Sequence, residues 1–169
     1  MNKIIILLIT ITFCNTHVNA QKFAYIDTDY ILKKMPDFIQ AEEKIDDYSI
    51  QWQKEIEEMY KEIERMYQNY QSEKVLLTEE MKRKREEEII EKERKLQDLQ
   101  QKYFGPEGDL YKKRQELIKP IQDRIFDAAQ QLAANNKYSV IFDSSSDLIM
   151  LYSNPDLDKS DKVLELMGY

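Results

Sequence analysis

The sequence predicts an α+β fold that is mostly helical: a small β body carrying a long antiparallel coiled-coil helical hairpin, a tentacle, and closed by a C-terminal helix. Three observations lead there. The stretch from Asp37 to Phe104 holds no Gly or Pro and is built mostly from good helix formers. Short runs rich in β-branched and aromatic residues lie at both ends of the chain, outside that stretch. Only three glycines occur in 169 residues, against roughly 7% in average proteins. With 34% charged and 42% hydrophobic residues, the chain is too apolar for simple disorder and too charged for an ordinary globule; long helices satisfy both numbers. The net charge of −7 argues against a nucleic-acid partner, which would need cations to neutralise phosphates.

Met1 to Ala20 reads as a cleavable signal peptide. Lys3 gives the positive start, Ile4–Phe13 the short apolar core, and Val18-Asn19-Ala20 the small-residue cleavage pattern, so the mature chain begins at Gln21. Bulky Phe13 before Cys14 argues against a lipid anchor on that cysteine. No later apolar run approaches the roughly 18 residues of a membrane-spanning helix. Cys14 and His17 both fall inside the signal. The remaining 149 residues carry a charge of −8 and neither Cys nor His. Composition thus excludes Ser-His-Asp and Cys-His catalysis and the usual zinc sites. The chain reads as a non-enzyme that calls for no cofactor and no metal.

Phe23-Ala24-Tyr25-Ile26-Asp27 is the first expected strand. The helical middle follows. Ile45, Tyr48, Trp52, Ile56, Met59, Ile63, Met66 and Tyr70 recur every three or four residues, the stripe of one helix face. The pattern falters in the polar run 71–74 and the apolar triplet Val75-Leu76-Leu77. Thr78, followed by Glu79 and Glu80, has the chemistry of a helix N-cap. These signals place the hairpin tip near 72–78, with a return helix starting after Thr78; the alternative is one continuous rod of about 100 Å, at roughly 1.5 Å per residue. Folding there brings Leu96 opposite Trp52, Leu99 opposite Tyr48, and Ile89 and Ile90 opposite Met59.

Gly105-Pro106-Glu107-Gly108 breaks or kinks the return helix. Leu110, Leu117, Ile121, Ile125, Ala128 and Leu132 resume a helical stripe, with Pro120 placed to bend it and Asn135-Asn136 to stop it. Tyr138–Asp143 and Leu148–Tyr152 are two further expected strands, joined by a Ser-rich turn. Ser160-Asp161 is expected to cap a final helix, Lys162 to Met167. The expected division is a signal at 1–20, an arm at 37–108, and a body with the arm base at 21–36 and 109–169. So small a body carrying so long an arm calls for self-association.

In this order of elements the chain resembles the Skp/OmpH family of periplasmic chaperones. The Phe23–Asp27 strand, the charged helical hairpin and Lys137-Tyr138-Ser139-Val140-Ile141-Phe142-Asp143 carry the likeness. So does Leu157-Asp158-Lys159-Ser160-Asp161-Lys162-Val163-Leu164, similar to the family's closing segment with Ser160 where Thr is usual. The resemblance implies a homotrimer whose helical hairpins surround a cavity. Unfolded outer-membrane proteins would be held there in the periplasm without ATP. The chain departs from the best-known members in being acidic and in carrying the Gly105–Gly108 interruption.

Three groups of residues are candidates for function. Tyr60, Met66 and Tyr67, at the edge of the arm's apolar stripe, are suited to adaptable contact with unfolded clients. Lys74, Lys82, Arg83, Lys84 and Arg85 cluster at the expected tip, where they either meet anionic lipid or an acidic client, or pair with Glu86–Glu88 as a solvated helix face. Phe23, Tyr25, Val140, Phe142, Leu148 and Met150 are candidates for the oligomerising body. Two functions follow: a holdase for unfolded envelope proteins, or a periplasmic coiled-coil scaffold without chaperone activity. A scaffold calls for a dry, fully paired helix seam, and a holdase for exposed apolar side chains on the arm.

Overall fold

The computed structural model describes residues 21–146 and 150–169. The expected signal peptide, and with it Cys14 and His17, lies outside them. Strand β1 (Lys22–Ile26) pairs in parallel with β2 (Tyr138–Asp143), with Phe23 opposite Val140 and Tyr25 opposite Phe142. Parallel strands need a crossover connection, and here the crossover is the whole helical arm. On the opposite side of β1, Tyr25 bridges to Asp158, and the Lys159 N–H donates to the Tyr25 carbonyl at 2.9 Å.

Two strand expectations need correction. Asp27 does not belong to β1: its side chain accepts the Tyr30 N–H at 2.8 Å and caps a helix, α1 (Thr28–Lys34), that sequence reading missed. The expected strand at 148–152 is absent from the described part of that segment. Leu148 and Ile149 lie outside the described residues, Met150–Tyr152 is irregular, and Leu151 is 97% exposed. β propensity alone does not make a strand; its backbone groups need a partner, and within this chain the place beside β1 is taken by Asp158.

Helix α2 (Pro36–Glu73) starts at a proline, whose missing N–H costs nothing in a first turn. Its 38 residues span about 57 Å at roughly 1.5 Å each. A single 3-10 turn (Lys74–Leu76) reverses the chain, and α3 (Glu79–Phe104) returns, with Thr78 Oγ1 accepting the Met81 N–H at 3.3 Å. Gly105 ends α3. A Cβ on Gly108 would lie 2.8 Å from the Tyr103 carbonyl and 2.9 Å from that of Lys102, so the break closes this tightly only with glycine. Helix α4 (Asp109–Asn136) runs on through Pro120. It ends at the expected Asn135-Asn136 stop, and Lys137 closes it in the left-handed region (φ 57°). Helix α5 (Ser160–Met167) closes the chain, capped by Gly168 at φ 89°.

The core lies where α1, the base of α2, α4 and α5 meet over the strand pair. Ile118, Ile121, Ile125, Ala128 and Leu132 supply the α4 stripe, against Ile31, Met35, Ile45 and Val163. Polar clasps close its margin. Arg124 binds Asp37 and donates to the Tyr169 hydroxyl at 2.9 Å, which in turn donates to Asp37 at 2.8 Å. Burial alone would raise Asp37, but the bonds from Tyr169 and Arg124 outweigh it and hold the carboxyl below its usual range.

Candidate client-binding surface

The seam of the hairpin is set by which apolar residues face inward. Ile63 and Tyr70 of α2 are buried, as are Ile89, Leu96 and Tyr103 of α3. Trp52 stacks on Tyr103 at 4.8 Å and on Tyr48 at 5.4 Å. Its partner is therefore seven positions, two helical turns, beyond the expected Leu96. The flat Trp52–Tyr103 stack (7° between planes) and the Tyr103 hydroxyl, which donates to Glu55 at 2.8 Å, select this register over one of aliphatic contacts. Ile89 faces inward as expected, whereas Ile90 does not: it is 62% exposed.

The seam is partly polar. Tyr67 donates to Glu93 at 3.2 Å, Tyr70 donates to Glu86, and Lys92 pairs with Glu62 at 2.7 Å. A phenol bonded to a carboxylate resists ionising, because it would lose the bond and face a like charge. The bond to Glu86 accordingly pushes Tyr70 up to about 12, and the bonds to Glu93 and Glu55 raise Tyr67 and Tyr103. These tyrosines stay protonated donors at any physiological pH.

At the edge of the seam and beyond it the arm exposes apolar surface. Tyr60 is 62% and Tyr67 42% exposed, while Met66 is half-buried. At the tip, Val75 is 89% and Leu76 84% exposed. In the sequence that triplet lacks helical spacing and marks only a turn. The basic cluster there is largely engaged. Lys82 pairs with Glu79 at 2.7 Å, Arg83 with Glu87 at 3.8 Å, and Arg85 with Glu88 at 3.5 Å and with Glu73 at 3.8 Å. Lys74 lies over the Tyr70 ring at 5.4 Å. Lys84 alone of the five has neither contact among the described residues.

In the body, alternation along the paired strands turns Ala24 and Ile26 inward. It leaves Phe23 beside Val140 and Tyr25 beside Phe142, three of the four well exposed. Met150 is half-buried, and Leu148 lies outside the described residues. A groove of about 610 Å³ runs between β2 and α4, lined among others by Phe126, Ala129, Val140 and Phe142. Among the described residues no group of carboxylates, Cys or His is placed to hold a metal, and no helix is long and apolar enough to cross a membrane.

The profile of the family described as outer membrane protein (OmpH-like) matches residues 22–167. The chain belongs to the OmpH-like family. The match spans β1 through α5, so the OmpH-like unit includes the arm as well as the body. A crystal structure from Caulobacter crescentus CB15, assigned provisionally as an OmpH-like outer membrane chaperone, superposes with a TM-score of 0.70 at 15% identity, covering 89% of this chain and 86% of that one. At that identity the likeness shows the fold alone. No curated protein matches the chain. The OmpH-like fold brings the three sequence-derived groups to three separate places: Tyr60 and Tyr67 along the arm, the cations at the tip, and Phe23, Tyr25, Val140 and Phe142 on one face of the body. Ile90, Val75 and Leu76 were missed as candidates. Their signal was present in the sequence: apolar residues that break the seam's spacing, Ile90 inside a charged helix and Val75 and Leu76 at its turn.

Proposed function

We propose that this OmpH-like chain is an ATP-independent holdase of the periplasm. It binds unfolded outer-membrane proteins and keeps them from aggregating in transit. The observation that carries this reading is the apolar surface left at the edge of the hairpin seam and outside it, at Tyr60, Tyr67 and Ile90 and at the tip. A scaffold would place such side chains in a dry seam against a fixed partner, whereas this seam is partly polar. Binding to clients needs no catalytic group. Delivery to the periplasm rests on the signal peptide at 1–20, and assembly as a homotrimer on the exposed apolar face of the strand pair. Contact of the tip with anionic lipid is supported by the exposure of Val75 and Leu76, and opposed by the pairing of most of the tip cations.

The test dilutes a denatured outer-membrane protein from urea with and without the full mature chain and follows light scattering. Suppression without ATP at stoichiometric amounts is the expected result. Unchanged scattering leaves the scaffold reading in its place.

A further inference from the structure

The two sides of the arm differ. Ile89 and Leu96, buried and seven apart, mark the middle of the α3 seam, and Ile63 and Tyr70 mark that of α2. Successive helix residues project about 100° apart, so Lys92 and Glu93 flank the α3 seam on opposite sides. Lys92 reaches Glu62, while Glu93 accepts from Tyr67. On the Tyr67 side, α2 presents Tyr60, Glu64 and Tyr67 at spacings of four and three. There α3 presents Glu86, Ile90 and Glu93 at the same spacings. Tyr60 and Ile90 are each 62% exposed. Glu64 meets no cation among the described residues, and Glu86 and Glu93 meet only tyrosine hydroxyls. One edge of the hairpin is thus a strip in which apolar and acidic side chains alternate, bordered at its tip end, beside Glu86, by Lys74, Lys82 and Arg83.

We propose that this strip binds extended segments of unfolded clients in which apolar residues alternate with Lys or Arg. This deepens the holdase reading and rests on it. Tyr60 and Ile90 offer apolar area to the client's aromatic and aliphatic side chains. Glu64 and Glu93 meet its cations at short range, and the Tyr60 ring adds a face for an ammonium or guanidinium. Charge complementarity selects the occupant: a lipid surface or an acidic segment would meet carboxylates of its own sign.

The test uses the full mature chain and labelled peptides alternating Leu or Tyr with Lys, or with Glu. The expected result is that the Lys peptide binds about fivefold or more tightly than the Glu peptide at low salt, from two or three exposed charge pairs. Glu64→Gln with Glu93→Gln should erase that preference while helicity is unchanged. Tyr60→Ser with Ile90→Ser should weaken both peptides. Equal binding of the two peptides by the wild type overturns the proposal. So does full binding by the Tyr60→Ser/Ile90→Ser variant, or an effect of that variant confined to anionic vesicles or to oligomer mass. Scattering suppression that persists while the peptide preference is absent removes the strip and leaves the holdase standing; absent suppression removes the holdase, whatever the peptides do.

Discussion

Asp143, at the end of β2, accepts four hydrogen bonds: from the Thr28 N–H at 3.2 Å, the Thr28 hydroxyl at 2.7 Å, the Ser145 N–H at 3.1 Å and the Ser145 hydroxyl at 2.8 Å. Burial would raise its carboxyl, but the bonds from Thr28 and Ser145 outweigh that and hold it below the ordinary value. A lowered folded-state pKa means stability that is present above the unfolded value of 3.8 and is lost as pH falls through the folded one. Asp143→Ala should cost about 1–3 kcal/mol at neutral pH, and in urea melts its penalty should shrink toward acid. Ser160 is a second such tie. It is 3% exposed, takes the Asp27 N–H at 2.9 Å and donates to Asp158 at 2.6 Å. The sequence marks Ser160 as a helix cap; the structure makes it a link between residues 133 apart. The residue type was legible and its partner was not, because no local pattern records a bond across the whole arm.

Helices were the most legible elements, since their period is written into neighbouring residues. The start of α3 at Thr78 and the break at Gly105–Gly108 follow from cap and breaker chemistry within a few positions. The pairing of α2 with α3 does not. Every charged amphipathic helix offers several registers that differ little in energy, and a flat aromatic stack decided among them here. Helix α1 was hidden because Asp27 suits a strand end as well as a cap. The junction between α3 and α4 gives the sharpest test at this scale. A Cβ on Gly105 would come 2.4 Å from the Gln101 carbonyl, and one on Gly108 2.8 Å from that of Tyr103. Those contacts are backbone and cannot swing aside. Gly108→Ala should lower stability by about 1–3 kcal/mol. It should also shift the emission of Trp52, the single tryptophan, because Tyr103 is stacked on it.

At the scale of the whole molecule, the apolar face of the strand pair asks for a partner. Phe23, Tyr25, Val140 and Phe142 sit together on it, while Leu151 and Tyr152 project from the same body without cover. Obligate assemblies have stability that depends on protomer concentration. The homotrimer proposed above predicts a sedimentation mass near three chains, which Phe23→Ser with Phe142→Ser should reduce to one while the arm keeps its helicity. A mass of one chain for the wild type would remove the trimer. The body residues were legible as a group, from β propensity at both ends of the chain. Their parallel pairing was not, because the order of strands along a sequence does not state their direction.

That parallel pairing also dictates an order of events. Strand β1 emerges first, yet its partner lies beyond the 111 residues from Asp27 to Lys137. During synthesis the hairpin can form from its own local contacts, while the strand pair must wait for nearly the entire polypeptide. Non-local contacts of this span close slowly and late. A chain cut short between Phe104 and Tyr138 can therefore present an arm but not the paired strands, and so never the face through which copies would join. Completeness of the polypeptide is built into the fold as a condition for forming that face.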